Sequence, residues 1–333
     1  MDVQDSEQQN TTLVTATQDG VDMRFNSREL ALDLENFSKL HLDPAMASLV
    51  SGIESDVLQG CTQRTYNVAG TAGSAISSLT TVGQARARLN QYLAPKDANR
   101  AIQMDSVTMG TLVDALKGLF QDSQQIKEQY REGMIGRTAG ADYYENERTF
   151  TLANGADVAA GLNANTLPAG GTSCTVSGWA APVTGMVFTL EGGTAVHPET
   201  KAAYSHLQQF VVTSTTTTST TIFFQPAIYA SGARQNVTGM PGTGAALTFV
   251  GAASTSYVQP IMYHRDAFTF ATAELPLMGG AEKCVRKTYD GLSLRVWQDP
   301  DIRNDELLTR IDILYGYAAI RPQWACRMIG AAN

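Results

Sequence analysis

The stretch GLSLRVWQDPDIRNDELLTRIDILYGYAAIRPQWACRMIG, residues 291–330, decides how the rest of the chain is read. Leu292, Leu294 and Val296 alternate with Ser293 and Arg295. After the charged turn DPDIRNDE the same period returns, with Ile311, Ile313 and Tyr315 on one side and Arg310 and Asp312 on the other. A period of two sustained this long predicts a β-hairpin with one apolar and one charged face. The turn has two readings: a solvated loop, or a rim of ion pairs between subunits.

Upstream lies the clearest helix. Asp43 suits the N-cap, Pro44 the first helical position, and Gly60 a stop just past the end. Met46, Leu49, Val50, Ile53 and Val57 form one apolar stripe between them. From Pro44 to Gln59 such a helix spans about 24 Å. TLVTATQDGVDMRF, residues 12–25, reads as two strands around a Gln-Asp-Gly turn, and RELALDL, residues 28–34, as another strand. Further helices are expected around 83–93, 107–119 and 123–132.

Charge divides the chain. Residues 151–260 hold only Asp157, Glu191, Glu199, Lys201 and Arg234. Short β-prone runs separated by LEGGT, PAGG and MPGTG predict a small antiparallel barrel or sandwich there. Thr213–Thr221, set between FVV and IFF, suits an extended hairpin arm at least as well as a linker. Strands and helices in separate blocks make the chain α+β.

Composition excludes several function classes. A 43% hydrophobic content suffices for a core, and no apolar run nears the roughly 20 residues of a membrane span. The acidic, polar first twenty residues lack the features of a signal peptide, so a soluble chain made in the cytoplasm is expected. The net charge of −8 argues against a dedicated nucleic-acid binder. Cys61, Cys174, Cys284 and Cys326 are too scattered for a metal or redox motif and are expected as buried thiols. His41, His197, His206 and His264 share no usual ligand spacing. His264-Arg265-Asp266 lacks the other parts of a kinase catalytic loop, and GTGAAL at Gly242 lacks the third glycine of a dinucleotide loop. No catalytic, cofactor-binding or metal-ligating residue is assigned, no cofactor is expected, and the chain is read as structural rather than enzymatic.

At this point whole blocks become recognisable. HRDAF followed by LPL, GLSLRVWQDPDIRNDELLTRIDILYG followed by IRPQWACRMIG, and AVHPETKAAYSHLQQFVVTS with FFQPAIYASGARQNVTGMP resemble the major capsid proteins of tailed bacteriophages. The similarity is to the short-tailed-phage coat family, which carries an inserted β-barrel. VDMRFNSRELALDLENFSKLHLDPAMASLVSGIESDVL resembles that family's strand and spine helix. GLFQDSQQIKEQYREGMIGRTAGADYYENE resembles the helical segment before its insertion.

The resemblance implies the capsid fold shared by tailed phages and herpesviruses. It places the first part of a peripheral domain at 1–60, the first part of an axial domain at 61–150, the inserted barrel at 151–257, and the remainder of both at 258–333. It implies a homo-oligomer of pentamers and hexamers in an icosahedral virion shell, assembled in the host cytoplasm. A scaffolding protein and a portal are the implied partners. Double-stranded DNA would be enclosed without specific binding, and no membrane is involved. The family's N-terminal arm and extended two-stranded loop have no counterpart before residue 10. The alternative is a β-rich surface- or carbohydrate-binding phage protein, which would need an exposed aromatic cluster drawn from residues such as Trp179, Tyr204, Tyr229 and Tyr257.

Overall fold

The computed structural model describes residues 11–26, 42–116, 136–156, 159–162, 167–177, 183–215, 221–289 and 291–332. The strand expected at 28–34, the helix expected at 123–132, His41 and Trp179 lie outside them. The chain divides into two compact units, Met1–Val57 with Phe268–Ile320, and Leu58–Ala267 with Arg321–Asn333.

In the first unit five antiparallel strands share one sheet. Thr17–Asn26, Glu306–Ala319, Leu292–Asp301 and Lys283–Tyr289 lie in that order, and Phe268–Ala273 pairs with the C-terminal part of Glu306–Ala319. The predicted hairpin is present, with Val296 opposite Ile311 and Arg295 opposite Asp312. The expected Gln-Asp-Gly turn is not. Thr17–Asn26 runs straight through it as one strand, with Gly20 opposite Asp312. A Cβ on Gly20 would come within 2.9 Å of the Asp312 Cβ and the Ile311 carbonyl oxygen. Glycine there permits close approach of two strands rather than a reversal.

The long helix spans Asp43–Arg64, so Gly60 sits inside it instead of ending it. Leu49 is buried against Ile311, Ile313 and Tyr315, and Met46, Ile53 and Val57 pack half-buried beside it. Val50 leaves the predicted stripe and is 52% exposed. The next residue along a helix is turned by about 100°, so with Leu49 aimed at the sheet Val50 is carried to the flank. Asp56 ties helix to sheet, accepting hydrogen bonds from the hydroxyls of Tyr315 at 2.8 Å and Tyr317 at 3.2 Å.

In the second unit a six-stranded mixed sheet runs Val68–Ala69, Ala325–Met328, Ile261–His264, Arg100–Met104, Ala141–Glu145, Arg137–Thr138. Helices Leu79–Gln91 and Ser106–Leu116, close to two of the expected spans, bury Val82, Ala85, Leu89, Met109, Leu112 and Leu116 in the core shared with this sheet. The low-charge segment forms a closed antiparallel barrel. Around the ring come Ala203–Thr215, Thr221–Gln225, Ser173–Ser177, Ala159–Leu162, Ala246–Phe249 and Val187–Val196. The Thr-rich tract is flanked by paired strands, as a hairpin arm requires, with Val211 opposite Gln225. Thr151–Ala153 pairs with Ser256–Val258 where the chain enters and leaves the barrel.

Candidate interaction surface

The fold keeps most of the residues tested for chemistry apart, although His197 and His206 both come to lie against the Tyr204 ring. His264 is buried; its Nε2 lies 3.1 Å from Asp97 Oδ1, and its Nδ1 accepts the backbone N–H of Asp266 at 3.2 Å. It clasps two loops. The hydrogen bond from the backbone N–H of Asn99, with the contact to His264, holds the Asp97 carboxyl down at about 2. His197 Nδ1 accepts the N–H groups of Glu199 and Thr200 in a turn, and His206 stacks on Tyr204 with ring centres 5.3 Å apart. All four cysteines are free thiols, three of them buried and Cys284 partly exposed, and burial pushes Cys174 and Cys326 up to about 12. Among the described residues no group of three His, Cys, Asp or Glu side chains comes together around a metal-sized site. Of the aromatic residues in the low-charge segment, Tyr257 is buried, Tyr204 and Tyr229 are half-buried, Phe223 is exposed, and Phe188, Phe210, Phe224 and Phe249 fill the barrel core.

What the first unit presents instead is surface. The hairpin has the expected charged face, and the centre of that face is covered rather than open to solvent. Arg295 and Asp312 are 3% and 1% exposed, and the Arg295 Nε and Nη2 donate to the two Asp312 carboxylate oxygens at 3.0 and 2.5 Å. Arg295 Nη1 donates to the Pro276 carbonyl at 2.8 Å, and Gln18 Nε2 donates to Asp312 at 2.8 Å. The hydrogen bonds to Asp312 hold the Arg295 guanidinium above its usual range despite burial. A buried pair so fully bonded is costly to break, about 3–5 kcal/mol for loss of one partner. Nearer the solvent, Arg310 pairs with Asp22, and Arg24 with Glu306 at 3.5 Å.

The hairpin ends in a fixed tip. Asp301 accepts from the Arg303 backbone N–H at 2.9 Å and from Asn304 Nδ2 at 2.8 Å. Between these anchors Ile302 is 98% exposed. On the sheet face that carries the helix, a groove of about 340 Å³ is lined by Met46, Val285, Leu292, Leu294, Val296 and Ile311, with Lys287 at its rim. Among the described residues the helix packs over Ile311, Ile313 and Tyr315 with Leu294 and Val296 at the margin, and Val285 and Leu292 remain exposed. The pattern is that of an unfinished face, since monomers seldom leave sizeable apolar patches uncovered.

One buried site in the second unit was not visible in the sequence. Arg327 is fully buried and donates to the carbonyls of Gln63, Thr65 and Gly185 and to Gln259 Oε1, the last at 2.9 Å. Burial pulls its pKa down to about 9, which leaves it charged at neutral pH. It joins the end of the long helix, the approach to a barrel strand and the segment after the barrel.

Comparison with known proteins gives these surfaces a context. The family model described as P22 coat protein, gene protein 5, matches residues 11–330. No curated protein matches the sequence. Among solved structures, one from Mycobacterium phage Che8 aligns at 10% identity and a TM-score of 0.48, covering 95% of this chain and 71% of that one. The mature capsid of bacteriophage PhiM1 aligns at 9% identity and a TM-score of 0.44, covering 96% and 72%. The coat-protein I-domain of CUS-3 aligns at 24% identity and a TM-score of 0.22, covering 28% of this chain and 94% of that domain.

Proposed function

The chain belongs to the P22 coat protein family, and from that premise we propose that it is arranged as pentamers and hexamers in the icosahedral head shell of a tailed phage. It is a major capsid protein, a structural component of the virion that works as a homo-oligomer. The observation that carries the reading is the family match over residues 11–330. The hairpin sheet with its exposed apolar groove supports it, because uncovered apolar surface of this kind commonly marks an interaction site.

We assign residues 1–60 and part of 258–333 to a peripheral domain, 61–150 to an axial domain, and 151–257 to the inserted barrel. The paired strands Thr151–Ala153 and Ser256–Val258 favour those limits for the insertion. The charge inventory suits a container for double-stranded DNA, which must slide in and out. Residues 1–150 carry 13 basic and 20 acidic side chains, and residues 261–333 carry nine of each. With no net basic segment, phosphate neutralisation is not available as a tight grip on the genome. The acidic N-terminal part suits a basic scaffolding partner, and one vertex would take a portal.

The test is electron microscopy and sedimentation of the full chain, expressed alone and with a scaffolding protein. Shells or capsomers are expected; small oligomers under every condition would overturn the reading. A titration with duplex DNA is expected to show weak binding that disappears by physiological salt, where the screening length is about 8 Å.

A further inference from the structure

Resting on the coat-protein reading, we propose that the hairpin tip of one copy seats Ile302 in the apolar groove of a second copy's sheet. The occupant is already shaped. Ile302 stands 98% exposed on a turn pinned by Asp301, so little further ordering is needed when it docks. The receptor is apolar and has ample room for an isoleucine side chain. The groove beside Met46, Val285, Leu292, Leu294 and Val296 holds about 340 Å³, within the range of about 300–1,000 Å³ typical of clefts that enclose small ligands.

Charge gives the direction. The tip carries Asp299, Asp301, Asp305 and Glu306 against Arg303 and against Arg24, which pairs with Glu306, and so remains net acidic. On the strand that borders the groove, Lys283, Val285 and Lys287 share one face and all three are exposed. An acidic tip therefore meets a basic rim, the arrangement that fixes register between partners. The chain's own tip is excluded, because Ile302 lies eight residues along a paired strand from Leu294, about 26 Å at ~3.3 Å per residue. The contact joins two different patches, so repeated around an axis it closes a ring rather than pairing two copies face to face.

Full chains carrying Ile302→Cys and full chains carrying Leu292→Cys, each with Cys284→Ser, are assembled together and oxidised. A disulfide-linked dimer of the two variants is expected in shells and absent from unassembled subunits. Lys287→Glu is expected to lower shell yield about tenfold or more, and Asp299→Lys in the same chain to restore it. Ile302→Cys chains linking only to each other would overturn the proposal in favour of a tip-to-tip contact. Protection of Leu292→Cys from alkylation in free subunits would overturn it by assigning the groove to a segment of the same chain. Shells that form without the mixed disulfide overturn this contact and leave the coat-protein reading standing. Absence of wild-type shells removes both.

Discussion

Among the described residues the barrel gathers fifteen buried apolar side chains into one cluster, with Phe188, Phe210, Phe224 and Phe249 touching at its centre, whereas the cluster between helix and sheet in the first unit has Leu49, Ile311, Ile313 and Tyr315 as its fully buried members. Both regions are antiparallel and both alternate in sequence. The barrel closes on itself and has no second face to cover. The open sheet has two faces, and its own helix covers only part of one. Large apolar side chains left in solvent follow suit. Val285, Leu292, Ile302 and Leu308 are exposed on the hairpin sheet, while the barrel strands expose Phe223. One module closes its core within its own strands; the other keeps large apolar side chains exposed.

That contrast can be broken by mutation. The largest effect is expected in the barrel, where Phe188→Ala should cost the free subunit about 3–5 kcal/mol, read by urea unfolding. A change below about 1 kcal/mol would mean the barrel core is not what holds it. In the sheet, Asp312→Ala strands the buried Arg295 cation and should cost about 3 kcal/mol in the same assay. Recovery of most of that loss by Arg295→Met in the double variant would show that the uncompensated charge is the cause. Asp56→Asn weakens the acceptor for Tyr315 and Tyr317 and should cost about 1–2 kcal/mol. Smallest of all, Val50→Lys should leave free-subunit stability within about 0.5 kcal/mol. A larger loss would place Val50 in the core after all.

The sequence carried the pattern of this fold better than its limits. The Asp43-Pro44 start and the 46, 49, 53, 57 spacing announce the long helix because capping and periodicity are local. Gly60 misleads because a glycine in a helix costs only about 1 kcal/mol, which the surrounding structure overrides. Gly20 misleads for the opposite reason: the signal of a turn and the need for close strand approach use the same residue. The alternation around Arg295 and Asp312 correctly assigns their shared face, but period says nothing about whether a second layer covers it. The interaction surface was half legible, since DPDIRNDE marks the tip but nothing in the linear order marks the groove. Arg327 was not legible at all. In the run WACRMIG it looks like an outward residue on a strand, and only long-range partners reveal its burial.

Those partners set a timetable for synthesis. The strands of the barrel are complete by Phe249, and a barrel with its own core can fold while the ribosome is still adding the rest. At about 5–20 residues per second the 78 residues from Phe249 to Arg327 take roughly 4 to 16 s. Through that interval the carbonyls of Gln63, Thr65 and Gly185 wait for a guanidinium that does not yet exist. Arg327 lies 78 residues beyond Phe249, so a nascent chain that has not yet reached it cannot lock this junction. The strand Ala325–Met328 thus sets the moment at which the long helix, the barrel and the segment after it can be tied together.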